Sequence, residues 1–133
     1  MSSRASITHT LGFQIERHRG AVVQLQAMIA DFGRQADSLD REIRIEEDRA
    51  NNHDPSHFAY PTYAKAALRR RDNLRHSSNE LKAQLDAVKK ALAEAELAAV
   101  RLLDASQTVE MHATSAAMEA SESIAISNHA ELV

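Results

Sequence analysis

Apolar residues recur along the first part of the chain in alternating steps of four and three. Starting at Leu11, the alternation lands on Ile15, His18, Val22, Leu25, Ile29, Phe32, Ala36, Leu39 and Ile43, and nine of these ten positions are apolar. A 3.5-residue repeat kept over more than four heptads predicts a long helix with a coiled-coil seam. That helix is expected over about residues 6–49; at ~1.5 Å per residue it would run roughly 60 Å, more than a compact domain of this size accommodates. A second seam starts at Leu74 and passes through Ser78, Leu81, Leu85, Val88, Leu92, Ala95, Ala99 and Leu102. Followed backwards, its register goes through Arg71, Ala67, Ala64 and Tyr60, so it thins to small residues.

Between the seams lies Ala50-Asn51-Asn52-His53-Asp54-Pro55-Ser56, a string of turn and cap formers. Asp54 is expected to cap a short helical start with Pro55 at its first position. Pro61 keeps Tyr60 out of helical geometry, which places the main second helix at about 61–103 after an elbow at 50–60. Two seams joined by a short elbow predict an all-α fold: an elongated antiparallel two-helix coiled-coil hairpin over residues 1–103. The remaining segment, 104–133, reads as an Ala/Ser-rich acidic tail, either continuing the helix or disordered.

Composition agrees with long helices. The 133 residues include three Gly, two Pro, no Cys, no Trp, two Tyr and three Phe, which is little material for sharp turns or a three-dimensional core. Cysteine chemistry is excluded outright, and the absence of disulfides fits a reducing compartment. The first twelve residues lack the apolar run of a signal peptide, and nothing approaches the ~18 apolar residues of a membrane span, so a cytoplasmic protein is expected. A net charge of −3 gives no general attraction to nucleic acid or anionic lipid. That charge is unevenly placed: all 16 Lys and Arg lie before residue 104, and five of the 19 acids lie after residue 103.

Candidate chemistry is sparse. Of the seven histidines, His53 and His57 are near each other, but Pro55 lies between them, so they do not share a helix face as paired zinc ligands would. His18 reads as a polar device within the seam. The acids of Asp40 to Asp48 read as a solvated face with pairs such as Asp40 with Arg44. Gly12, Gly20 and Gly33 are isolated and form no phosphate loop. No catalytic residue, metal site or cofactor is expected, and the chain does not read as an enzyme.

One segment stands out. Phe58, Tyr60 and Tyr63 stand beside Lys65, Arg69, Arg70, Arg71 and Arg75, with only Asp72 opposing them locally. Two readings stay open. In one, the aromatics plug the end of the hairpin while the arginines pair with acids of the first helix. In the other, Phe58, Tyr60, Tyr63, Arg69, Arg70, Arg71 and Arg75 form a partner-binding surface, since Tyr and Arg are enriched in interface hot spots.

The order of AMIADF, the acid-rich DREIRIEEDRA, the elbow DPSHFAYPTYA, the basic RRRDNLRHS and then ELKAQL resembles the flagellar export protein FliJ family over roughly residues 3–100. The stretch from Asp54 to Ser77 is its specific part. The resemblance implies a component of the flagellar type III export apparatus, a two-helix coiled coil similar to the central stalk subunit of rotary ATP synthases. It would promote assembly and activity of the hexameric export ATPase and contact the cytoplasmic domain of the export gate and the export chaperones. Its place would be cytoplasmic, peripheral to the inner membrane at the flagellar base and reaching the membrane only through partners. By that likeness, the end bearing both termini faces the ATPase while the middle and elbow face the gate. The tail, without Lys or Arg, departs from the charged second helix of the family. Two alternatives are a structural coiled coil that self-associates through its seams and, less favoured, a hairpin that binds nucleic acid through Arg69 to Arg75.

Overall fold

A computed structural model describes residues 2–131 of the chain, the last two residues of the expected tail lying outside them. Its described secondary structure is two helices, α1 at Ser2–Ala50 and α2 at Thr62–Glu131. The all-α expectation therefore holds, with helices longer than expected. α1 begins four residues earlier, and α2 continues without a break through the change in charge at residue 104. The tail is helical rather than disordered as far as Glu131. Its Ala, Met, Gln and Glu residues are strong helix formers, and no Gly or Pro interrupts them.

The molecule divides into two compact units, Ile15–Ala93 and the described residues of Met1–Gln14 with Glu94–Val133. In the first, α1 and α2 run antiparallel against each other around the elbow. The seam positions of α1 from Ile15 to Ile43 are all half-buried or buried. So are those of α2 from Tyr60 to Leu92. His18 is among them as a half-buried ring, and Ser78 is a buried polar seam residue. In the second unit, Leu11 on α1 and Ala95, Ala99, Leu102 and Ser106 on α2 are likewise shielded.

Two helices can enclose a side chain on only some of its sides, so the core is thin. Among the described residues the buried apolar set is Ala36, Ile43, Tyr60, Ala64, Ala67, Leu85 and Ala95, and no large side chain is fully enclosed. Four of the seven are alanines, because a small seam residue disappears between two backbones where a leucine still shows an edge. Ala64 has no exposed surface at all. Burial of Ile43 and Leu85 stabilises by about 1.5–3 kcal/mol each. No helix among the described residues is long and apolar enough to cross a membrane.

The elbow has its own architecture. α1 ends in a Schellman arrangement: the Asn51 N–H donates to the Asp48 carbonyl at 3.2 Å and the Asn52 N–H to the Glu47 carbonyl at 3.0 Å. This requires a left-handed residue, and Asn51 takes that conformation at φ 49°. Arg49 sits in the last turn, where a cation favours the helix dipole. Asp54 differs from expectation. Its carboxylate accepts from the Ser56 N–H at 3.0 Å and the Ser56 hydroxyl at 2.7 Å, so it closes a turn rather than capping a helix. Two turns follow, with the His57 N–H on the Asp54 carbonyl and the Tyr60 N–H on the His57 carbonyl. The first bond into α2 runs from the Lys65 N–H to the Pro61 carbonyl at 3.0 Å, so the helix starts one residue after the proline.

Candidate functional site at the elbow

The hairpin places the acids of α1 opposite the aromatic and basic segment of α2. The Tyr60 hydroxyl donates to Glu47 Oε2 at 3.0 Å, and the Tyr63 hydroxyl donates to Glu42 Oε2 at 2.9 Å. Asp40 receives two arginines, Arg71 at 2.9 Å on one oxygen and Arg75 at 2.7 Å on the other. Arg71 also reaches Asp72 at 3.1 Å. The expected pairing of Asp40 with Arg44 along the helix is thus replaced by pairing across the hairpin. The reason is geometric: Arg71 occupies a half-buried seam position, where its guanidinium needs a carboxylate and Asp40 faces it from α1. Short-range pairs on α1 are instead the three-residue steps Arg19 with Glu16, Arg34 with Asp31 and Arg49 with Glu46.

The seven expected binding residues separate into two groups. Tyr60 is 6% exposed and closes the end of the seam. Arg71 and Arg75 are tied to Asp40. These three serve the hairpin, as the first reading of the segment proposed. Phe58 is 95% exposed at the tip, Tyr63 is 55% exposed, and Arg69 and Arg70 face solvent, as the second reading requires. Tyr63 and Arg70, seven residues apart on one face, border a shallow furrow of about 220 Å³ with Gln35, Leu39 and Glu42 of α1. Leu39 and Glu42 were not identified from sequence. The signal available for them was the acidic run of Asp40 to Asp48 standing, in a hairpin, opposite the basic one.

The tip is stiffened by the histidine network. His57 Nδ1 accepts from the Ala59 N–H at 3.0 Å and lies 3.1 Å from Asn52 Nδ2, while the Asn52 side-chain oxygen accepts from the Asp54 N–H. The His57 ring stacks on Phe58 with centroids 4.6 Å apart. An exposed phenyl ring held in one place by a fixed imidazole is presented to solvent at little remaining entropic cost. His53 turns the other way, its Nε2 lying 3.2 Å from Asp48. Among the described residues no three His, Asp or Glu side chains converge as a metal site would require.

These contacts shift titrations. Burial, then the hydrogen bond to Glu47 and its charge, push the Tyr60 hydroxyl from its ordinary value of 10.0 up to about 12. The Tyr63 hydroxyl is also raised, chiefly by its bond to Glu42. The Ser56 hydroxyl and then the Ser56 N–H hold the Asp54 carboxyl below its ordinary range. Arg71 is raised, first by its bond to Asp40. None of these groups faces a concave site; the arrangement has the chemistry of a docking surface, with apolar, cationic and anionic elements held at fixed places.

Comparison with known protein families, with curated proteins and with solved structures gave no match.

Proposed function

We propose that the chain is a coiled-coil component of the flagellar type III protein export apparatus, of the FliJ kind. In this reading it promotes assembly and activity of the hexameric export ATPase and connects it to the export gate and chaperones. The observation that carries the reading is the coincidence of two features at the elbow. The stretch from Asp54 to Ser77, on which the family resemblance rests, is also the stretch whose Tyr60, Tyr63, Arg71 and Arg75 close the antiparallel hairpin. A two-helix hairpin is the fold such a component needs. Its helices transmit position from one end to the other, and a ring state that binds the hairpin better than its alternatives is populated by that difference in affinity alone.

The ATP chemistry belongs to the partner, so no residue of this chain has a catalytic role in the proposal. Location at the cytoplasmic face of the flagellar base follows from the partners. The deciding experiment adds the purified chain to the export ATPase of the same cell at sub-stoichiometric amounts. The expected result is a raised rate of ATP hydrolysis together with co-purification of the two proteins; an unchanged rate and no co-purification with ATPase or gate would refute the proposal.

A further inference from the structure

Beyond its buried seam, α2 carries a second apolar stripe that nothing in the chain covers. Leu97, Val100, Leu103, Gln107, Met111, Thr114 and Met118 follow one another in steps of three or four, and Leu97, Val100, Leu103, Met111 and Met118 are each at least half exposed. At 3.6 residues per turn these seven positions fall within an arc of about 120°, the width of a helix face built to be covered. The stripe is centred about 120° around α2 from the buried seam positions Ala95, Ala99, Leu102 and Ser106. Where it meets the beginning of α1 it forms a furrow of about 360 Å³ lined by Arg4, Thr8, Leu11, Leu102 and Leu103. From Gln107 to Met118 it runs on as an open face.

Charge identifies the occupant. Asp104 and Glu122 lie along one flank of the stripe and Glu110 along the other, in the places that face a partner's flanking positions in a coiled coil. No Lys or Arg follows Arg101 in the sequence, so these carboxylates have no cation on their own helix to offset them. Arg4 confines positive charge to the start of the furrow, which puts the anionic run from Leu103 onward. A second copy of this tail would set acid against acid along its length. We propose that the face of α2 from Leu103 to Met118 docks a cationic amphipathic helix of a partner protein. The partner's apolar side packs on Leu103, Met111 and Met118, and its Lys or Arg residues lie against Asp104, Glu110 and Glu122. Methionines suit this role, because a flexible thioether adapts to differently shaped apolar faces.

The test uses the full chain and a labelled synthetic peptide of about three heptads with Leu at the seam positions and Lys elsewhere, read by fluorescence anisotropy. A peptide of the same pattern with Glu for Lys is the control. The Lys peptide is expected to bind in a salt-sensitive way and the Glu peptide not to bind. Met111→Gln with Met118→Gln should weaken binding by about tenfold or more at unchanged net charge. Glu110→Gln with Glu122→Gln should weaken it and flatten its salt dependence. Circular dichroism checks that α2 stays helical; Gln is nearly as good a helix former as Met or Glu, so either pair serves if the other perturbs the fold. Equal binding of both peptides, no binding of the Lys peptide, or parental affinity in both paired variants would overturn the proposal. So would sedimentation showing a dimer that the methionine variant dissociates, since the face would then belong to a second copy.

Discussion

Asn51 shows how much one backbone conformation decides. The Schellman bonds at the end of α1 need a residue at positive φ, and the side chain there is the one besides Gly that tolerates it best. Asn51→Gly should leave stability within a few tenths of a kcal/mol, whereas Asn51→Val should cost about 1–2 kcal/mol, measured by urea unfolding. Tyr60 gives a second test at this scale. Its hydroxyl is raised to about 12 in the folded chain from an ordinary 10.0, so the folded state keeps a proton that the unfolded state releases. The stabilisation is complete below pH 10 and is lost as pH rises from there through 12. With two tyrosines and no tryptophan, the absorbance of tyrosinate reports this directly. Tyr60→Phe should remove the higher step and the part of the alkaline destabilisation that goes with it.

Each helix is held together by different means along its length. α1 contains Gly12, Gly20 and Gly33, none at positive φ and none with any atom within 4 Å of where a Cβ would stand. Nothing in the fold uses their freedom, so each is a local weakness in a helix interior. Gly20→Ala should therefore stabilise by about 0.5–1 kcal/mol, seen as a higher melting temperature with unchanged helix content. On α2, the seam section near the elbow relies on alanines, with Arg71 and Arg75 clamped on Asp40. Farther along, Leu85 and its neighbours at seam spacing supply apolar area. Beyond Ser106 the helix is sustained by propensity alone. Alanine packing, charge pairing and leucine packing thus follow one another along a single seam.

For the molecule as a whole, a thin two-helix core leaves much apolar surface in water, and the exposed residues concentrate function at two places. One is the elbow, where Phe58, Tyr63, Arg69 and Arg70 are free to meet a partner while Tyr60, Arg71 and Arg75 hold the turn. A Phe58→Ala, Arg70→Ala variant is expected to melt like the parent and to impair flagellar motility in the cell. Asp40→Ala, by contrast, should lower stability by about 1–2 kcal/mol, because it leaves the half-buried Arg71 without its carboxylate. If the elbow variant melted early instead, Phe58 and Arg70 would belong with the residues that hold the turn. The other place is the apolar face of α2 from Leu103 to Met118, whose acidic flanks set it apart from the basic elbow.

Much of this was written in local spacing. The steps from Leu11 to Ile43 and from Leu74 to Leu102 fix which side of each helix is shielded, because helical periodicity is a property of neighbours in sequence. The turn formers from Asn51 to Pro61 fix where the chain reverses for the same reason. The sequence by itself therefore determined two helices, their seams and the elbow, and it drew attention to the aromatic and basic segment. Local spacing did not reveal that Asp40 serves Arg71, 31 positions away, or that Tyr63 reaches Glu42 rather than solvent. Nor did it divide the elbow aromatics into an enclosed Tyr60 and an open Phe58. Those outcomes depend on how far the two helices slide against each other, which small seam residues and the Schellman turn set together, and only the tertiary structure contains that register. It also decided what became of the tail: α2 extends past the start of α1 as a helix, and its second stripe is left without a partner in this chain.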